Sequence, residues 1–185
     1  MTFVAETTPY PYPFDGDLTT GATALIVCGA QTALVAASTE ASSVMSRIVE
    51  VAAAMEQLGC PMFSVSVTGQ RGLLADPGEP VLSLGGAVLA AGWDGCYGSD
   101  LEHRLRARRI ARVALCGFAS ELTVDSTIRT LNDRGFECLV LTDLCAPIDP
   151  ALGARALASV TMSGGIFGAL GTSTALLDAM RNPLS

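Results

Sequence analysis

The chain has 185 residues, of which 50% are hydrophobic and 16% charged, with 11 basic side chains against 18 acidic and a net charge of −7. That length suits one substantial core and crowds two, and the acidic balance argues against nucleic acid, whose phosphates need a concentrated basic surface. No stretch approaches the roughly 18 unbroken apolar residues that span a bilayer, and residues 1–17 lack the regions of a secretory signal, so a cytoplasmic protein with no membrane partner is expected.

Six cysteines (Cys28, Cys60, Cys96, Cys116, Cys138, Cys145) form no C-x-x-C pair and most fall in apolar runs. Buried free thiols are therefore expected rather than a disulfide framework or a zinc site. Every basic residue is arginine, and His103 is the only histidine. No metal site and no cofactor are expected, because a metal needs several ligands gathered together. The apolar richness suggests surface reserved for subunit contacts.

In chain order, residues 1–20 are rich in proline and polar residues and read as an extended N-terminal arm on this or another subunit. A single domain then occupies 21–185. Residues 24–28 form a continuous apolar run, as in strands buried on both faces. Val44, Ile48, Val51, Met55 and Leu58 recur at helical spacing until Gly59 and Pro61 end the pattern. A second strand is predicted over 61–67, a loop over 68–86, and the end of a third strand over 87–90. A helix over 100–109 and a strand over 112–117 follow. Ser120 is placed to cap a helix over 121–134, which Gly135 stops. Residues 138–142 read as a strand, 150–163 as a helix, 166–170 as a short strand and 173–180 as a final helix. This alternation predicts a three-layer α/β/α sandwich around a mostly parallel, Rossmann-like, six-stranded sheet. Ligands of such sheets sit beyond the carboxyl ends of the strands, which draws attention to 28–31, 90–99 and 117–127.

The stretch Cys116-Gly-Phe-Ala-Ser-Glu-Leu-Thr-Val-Asp-Ser-Thr-Ile-Arg129 resembles the G-V-A/T-T-D/E-x-C-V-x-x-T-x-R signature of the isochorismatase-like cysteine hydrolases. Residues 132–143 are similar to that family's D-R-G-Y-x-x-x-V-x-x-D, residues 23–31 to T-A-L-L-V-I-D-M-Q, and 97–101 to F-x-G-T-D-L. Residues 163–168 and 13–17 resemble the branch acting on biuret and related ureido compounds. The resemblance runs through nearly the whole chain in one order, and it implies the α/β/α fold above and hydrolysis of C–N bonds.

Carried over position by position, it also implies that the catalytic residues are gone. The nucleophilic cysteine falls on Thr123, the general-base aspartate on Gly29 and the lysine on Ala90. A threonine hydroxyl is far less acidic than a thiol and needs a base that glycine cannot supply, and no lysine exists to offset a developing anion. The resemblance further assigns an oxyanion hole to the Phe118–Ala119 bond and the amides of Ala119 and Thr123, near the helix opening at Ser120. Cys28, Gln31 and Cys96 flank the same place, although neither cysteine has a histidine or lysine placed to activate it. Asp94 is expected in a turn, Glu121 in local hydrogen bonding.

The leading expectation is a catalytically degenerate homologue serving as a structural or regulatory subunit, in a homo-oligomer or with an active paralogue or other enzyme. Two alternatives stand beside it: an amidohydrolase of small amides or ureides using altered residues, and a module that binds a small carboxylate or ureide.

Overall fold

Six apolar segments extend into strands and align side by side, every pair parallel: β1 (Thr23–Cys28), β2 (Met62–Ser66), β3 (Gly86–Leu89), β4 (Arg112–Phe118), β5 (Glu137–Ala146) and β6 (Ala169–Gly171). Their order across the sheet is β3-β2-β1-β4-β5-β6. The structure, a computed structural model, describes residues 1–69, 71 and 75–182. Of the loop expected over 68–86, residues 70 and 72–74 lie outside that set, as do 183–185 of the domain expected over 21–185.

Every residue of β1 and β4 is buried, which is why, after their opening Thr23 and Arg112, their sequences are continuously apolar rather than alternating. The helices are α1 (Thr32–Ala37), α2 (Ala41–Gln57), α3 (Leu101–Ala107), α4 (Asp125–Asp133), α5 (Pro150–Val160), the short α6 (Met162–Gly165) and α7 (Ser173–Arg181). The path from β1 to β2 runs one way across the sheet and the paths from β4 to β5 to β6 run the other way. Right-handed crossovers therefore place α2 on one face and α4 and α5 on the opposite one. In agreement, α2 packs with α7, and α4 packs with α5. The strand order reverses between β1 and β4, so the sheet's switch point lies between their carboxyl ends.

Several boundaries differ from the sequence expectation for identifiable reasons. β6 starts at Ala169 rather than 166, because Ile166 still belongs to the turn ending α6 and Gly168 takes φ +142 before the strand. β5 runs on to Ala146, beyond the expected 142, with a register shift against β4 between Leu115 and Gly117. The expected helix over 121–134 opens with one π-helical turn, Ser120–Val124, before α4. Ser120 is not its cap: Ala119 occupies that position and makes no side-chain cap bond.

The arm folds back on its own chain. Val4, Tyr12 and Leu18 join the core, and the arm crosses below the amino ends of three strands in turn. Arg112 at the start of β4 meets Asp15 at 2.6 Å and Asp17 at 3.5 Å. At the start of β5, Phe14 N donates to Glu137 Oε1 (2.5 Å) and Tyr12 Oη to the Glu137 carbonyl (3.3 Å). Thr8 and Leu170 of β6 then exchange two backbone hydrogen bonds, 3.0 and 2.8 Å, as an antiparallel pair.

Candidate functional site

At the switch point the ends of β1 and β4 approach so closely that only glycines fit. A Cβ on Gly117 would lie 2.0 Å from the Cys28 carbonyl oxygen, and a Cβ on Gly29 would lie 1.8 Å from the Phe118 carbonyl oxygen. Gly29 also takes φ +65, a region that side-chain-bearing residues rarely adopt. The Phe118–Ala119 peptide is cis. Its carbonyl is also the partner of Thr123, whose Oγ1 donates to it at 2.7 Å.

One carbonyl therefore joins two of the positions singled out by sequence. It fills the space that a side chain at 29 would need, and it takes the proton of the hydroxyl at 123. A carbonyl oxygen can hold that proton in a hydrogen bond but cannot remove it as a base would. Thr123 is 0% exposed, as are Phe118 and Ala119.

Ala90, just past β3, is buried, its N–H donating to the Ser66 carbonyl and its carbonyl accepting from Thr68 Oγ1. One strand, β2, separates it from Gly29 at the end of β1. The intervening space is occupied by the turn expected around 92–95. Its Gly95 N–H donates to Thr127 Oγ1 at 2.8 Å, and Asp94 accepts from Thr130 Oγ1 at 2.8 Å and from Cys96 N at 2.9 Å. Gly95 lies so near Val65 and Thr127 that a Cβ there would meet both at 3.0–3.2 Å. Thr123 and Thr127, one helical turn apart, thus face the sheet together, one holding a carbonyl and the other holding the turn. Thr127 ends the stretch that sequence marked for attention and matches the signature's threonine, but no role was assigned to it there, although its i,i+4 spacing from Thr123 carried the signal.

The remaining candidates are also committed. Gln31 accepts from Val67 N at 2.8 Å and donates to the carbonyls of Val67 (3.1 Å) and Gly78 (2.8 Å). Ser120 is 2% exposed and donates to Glu121 Oε2 at 3.3 Å. Glu121 Oε1 accepts from the amides of both Ile148 and Asp149 at 2.8 Å, tying the start of α5 to the π turn. Burial pushes the Cys28 thiol up to about 12, with a Thr127 side-chain hydrogen bond acting the other way. Burial and then the neighbouring Asp94 raise Cys96, the one half-exposed thiol, to about 12. Cys116, Cys138 and Cys145 are likewise raised by burial. All six cysteines are free. Thiolates are the nucleophiles of cysteine chemistry, and these environments suppress them. Among the described residues no group of three or more His, Cys, Asp or Glu side chains is placed to hold a metal ion.

Open space lies to one side instead. A groove of about 450 Å³ runs beyond the ends of β2 and β3, with Val67, Thr68, Asp76, Pro80 and Leu89 among its walls. Gln31, which sequence placed beside the expected site, lines this groove; the rest was not singled out, because most of its walls come from a loop of small and turn-forming residues.

Residues 23–172 match the sequence profile described as the Isochorismatase domain. The chain belongs to the isochorismatase family. Among curated relatives, the isochorismatase family protein YecD of Escherichia coli O157:H7 is 36% identical over 59 residues, a stretch covering 32% of this chain and 31% of that protein. YwoC of Bacillus subtilis is 37% identical over 51 residues, 28% of this chain and 27% of that protein. The matches thus span about a third or less of these relatives' length. Both relatives are described as uncharacterized. In three dimensions the chain resembles the pyrazinamidase of Pyrococcus horikoshii, solved in complex with zinc (TM-score 0.73, 22% identity, 82% of this chain and 99% of that one). It also resembles the YcaC gene product of Escherichia coli, described as an octameric hydrolase of unknown specificity (TM-score 0.75, 15% identity, 94% and 84%). At these identities the likeness is one of fold, and it agrees with the six-stranded parallel sheet and flanking helices expected from sequence.

Proposed function

We propose that this isochorismatase-family chain is a non-catalytic member of the family that acts as a structural or regulatory subunit in the cytoplasm. One observation carries the reading: the Phe118 carbonyl occupies the side-chain space at Gly29 and binds the Thr123 hydroxyl. A pocket that had lost its triad alone would still be a pocket. Here the positions of base and nucleophile are both packed against one carbonyl, and the turn at 92–96 packs on Val65 and Thr127 beside them. Groups that act as a unit lose nearly all their effect together, and the raised thiols of Cys28 and Cys96 offer no ready substitute. The likeness in one direction to the biuret and ureido branch indicates the ancestry of the site rather than a present substrate.

The subunit role is supported by the retained core and by apolar side chains left on the surface, among them Phe14 (79% exposed), Leu89 (66%) and Ile166 (52%). Its partner is another copy of the chain or an active relative. The octameric description of the similarly folded YcaC makes self-assembly the first case to test. Light scattering on the purified chain, with a turnover assay on small amides, ureides and nicotinamide, decides between the readings. An oligomer without turnover is expected. Robust hydrolysis that follows the chain through purification would establish the amidohydrolase alternative instead, and a stable monomer that captures nothing from its host would remove the subunit role.

The groove beside β3 favours a second reading, a module that binds a small carboxylate or ureide. A ligand present at about 100 times its dissociation constant adds about 2.7 kcal/mol of stability. A thermal-shift screen of such compounds without any response would dispose of it.

A further inference from the structure

The two edges of the sheet are treated differently. At β3 the chain of Arg104 reaches over to bond the Ala87 carbonyl, a charged side chain that discourages further pairing. At β6 the edge is taken by the arm itself, through the reciprocal backbone bonds of Thr8 and Leu170. The arm reaches that edge as a strap, touching Arg112, Glu137 and Leu170 in the order β4, β5, β6, a crossing of about 10 Å at the usual strand spacing. Behind it lies a single 3₁₀ turn, Thr20–Ala22, which buries no residue and whose Gly21 has nothing within 4 Å of where a Cβ would stand. The contacts holding the arm, the buried Val4, Tyr12 and Leu18 among them, sit on one side of a slender connection.

We propose that the arm is exchangeable: residues 1–20 of one copy dock on the β4, β5 and β6 ends of a second copy, whose arm docks in return. Every bond made within the chain is then remade between chains, so exchange changes little but the chain to which each partner belongs. The intramolecular arm has the advantage of effective concentration, and rising protein concentration works against that advantage. The docked Tyr12, buried completely, and the Arg112 latch make the seat specific to this arm rather than to any passing strand. This rests on the subunit reading above and names the partner as a second copy of the same chain.

The test uses full-length chains carrying one added cysteine each. Thr8→Cys protein is mixed with Leu170→Cys protein and treated with mild oxidant, and in parallel with a short bis-maleimide so that a strained disulfide cannot hide an exchanged arm. An arm docked on its own chain meets no new thiol, so exchange joins the two proteins beyond the collisional linkage that each variant shows when treated alone. A covalent heterodimer whose yield grows with concentration is expected, formed about two- to fivefold faster when Asp15→Asn and Asp17→Asn loosen the latch, the range appropriate to exposed ion pairs. The control is Thr8→Cys/Leu170→Cys in a single chain, which joins internally. Absence of the heterodimer with both reagents overturns the proposal. If wild type is then still oligomeric by light scattering, only arm exchange fails; if it is monomeric, the subunit reading fails with it.

Discussion

Replacing Gly29 by alanine adds one methyl group at a place where the chain has no room for it. The new Cβ would stand 1.8 Å from the Phe118 oxygen and 3.1 Å from Leu34 Cδ1, on a backbone at φ +65. Holding alanine in that conformation costs about 1–2 kcal/mol. The carbonyl must also retreat by more than an ångström, which breaks its bond to Thr123 and adds about 1–3 kcal/mol for buried polar groups left without partners. The sum is about 2–5 kcal/mol, and at roughly 2–4 °C per kcal/mol for a chain of this size it lowers the melting temperature by about 4–20 °C. Gly59→Ala is the matched control, since Gly59 has φ +71 but nothing within 4 Å of a Cβ, so it reports the backbone cost alone. Gly21→Ala, with ordinary φ and open space, is expected to be near neutral. Calorimetry or urea unfolding reads all three. A Gly29→Ala variant no less stable than Gly59→Ala would refute the idea that this corner is filled. The same reasoning predicts that grafting Gly29→Asp, Ala90→Lys and Thr123→Cys together yields an unstable protein without turnover.

Thr123→Val keeps the shape and deletes the hydroxyl, leaving the Phe118 carbonyl without that donor, and should cost about 1–3 kcal/mol in urea unfolding; an unchanged midpoint would show that the hydrogen bond is idle. Glu121→Gln retains one acceptor but loses the charge facing the Ile148 and Asp149 amides, so a loss of about 1–2 kcal/mol is expected, with hydrogen exchange rising first at the start of α5. With Cys28 and Cys96 near 12 and Cys60 near 11 rather than the ordinary 9, a disulfide reagent at pH 8 should react with the native protein about a hundredfold more slowly at Cys60, and about a thousandfold more slowly at Cys28 and Cys96, than in denaturant; labelling of Cys96 as fast as in denaturant would contradict the raised thiol described. Asp15 is held below its usual range, first by its hydrogen bond to Arg112. A lowered carboxyl stabilises the fold fully above its unfolded value and loses that contribution as pH falls through the folded one. Asp15→Asn should therefore flatten the acid limb of the stability profile below about pH 4, by under about 1 kcal/mol given its exposure.

The continuous apolar runs of β1 and β4 and the helical spacing of α2 were legible because burial on both faces or on one stripe writes itself directly into residue order. The arm was harder: its prolines announced an extended segment, but Tyr12 finds its partner 125 residues away, and no local pattern encodes such a meeting. The candidate site divides in the same way. The identities at 29, 90 and 123 were visible in the sequence. That two of them meet at a single carbonyl depends on how close β1 comes to β4, a tertiary distance. Ser120 looked like a helix cap by type, yet the π turn moved that duty to Ala119 and left the serine beside Glu121. The helix α1 was missed because six small and apolar residues after Gln31 carry no periodicity long enough to read.

The strap also bears on how the polypeptide matures. Its anchor points lie 97 residues downstream at Arg112 and 125 downstream at Glu137, and its edge partner Leu170 belongs to the last strand. During synthesis, residues 1–20 are made before the strands they dock on and must wait until β6 has left the ribosome before they can settle. Distant contacts of this kind close slowly. On a polysome, where nascent copies crowd together, a waiting arm and a neighbour's newly finished edge meet at the moment when each lacks its own counterpart.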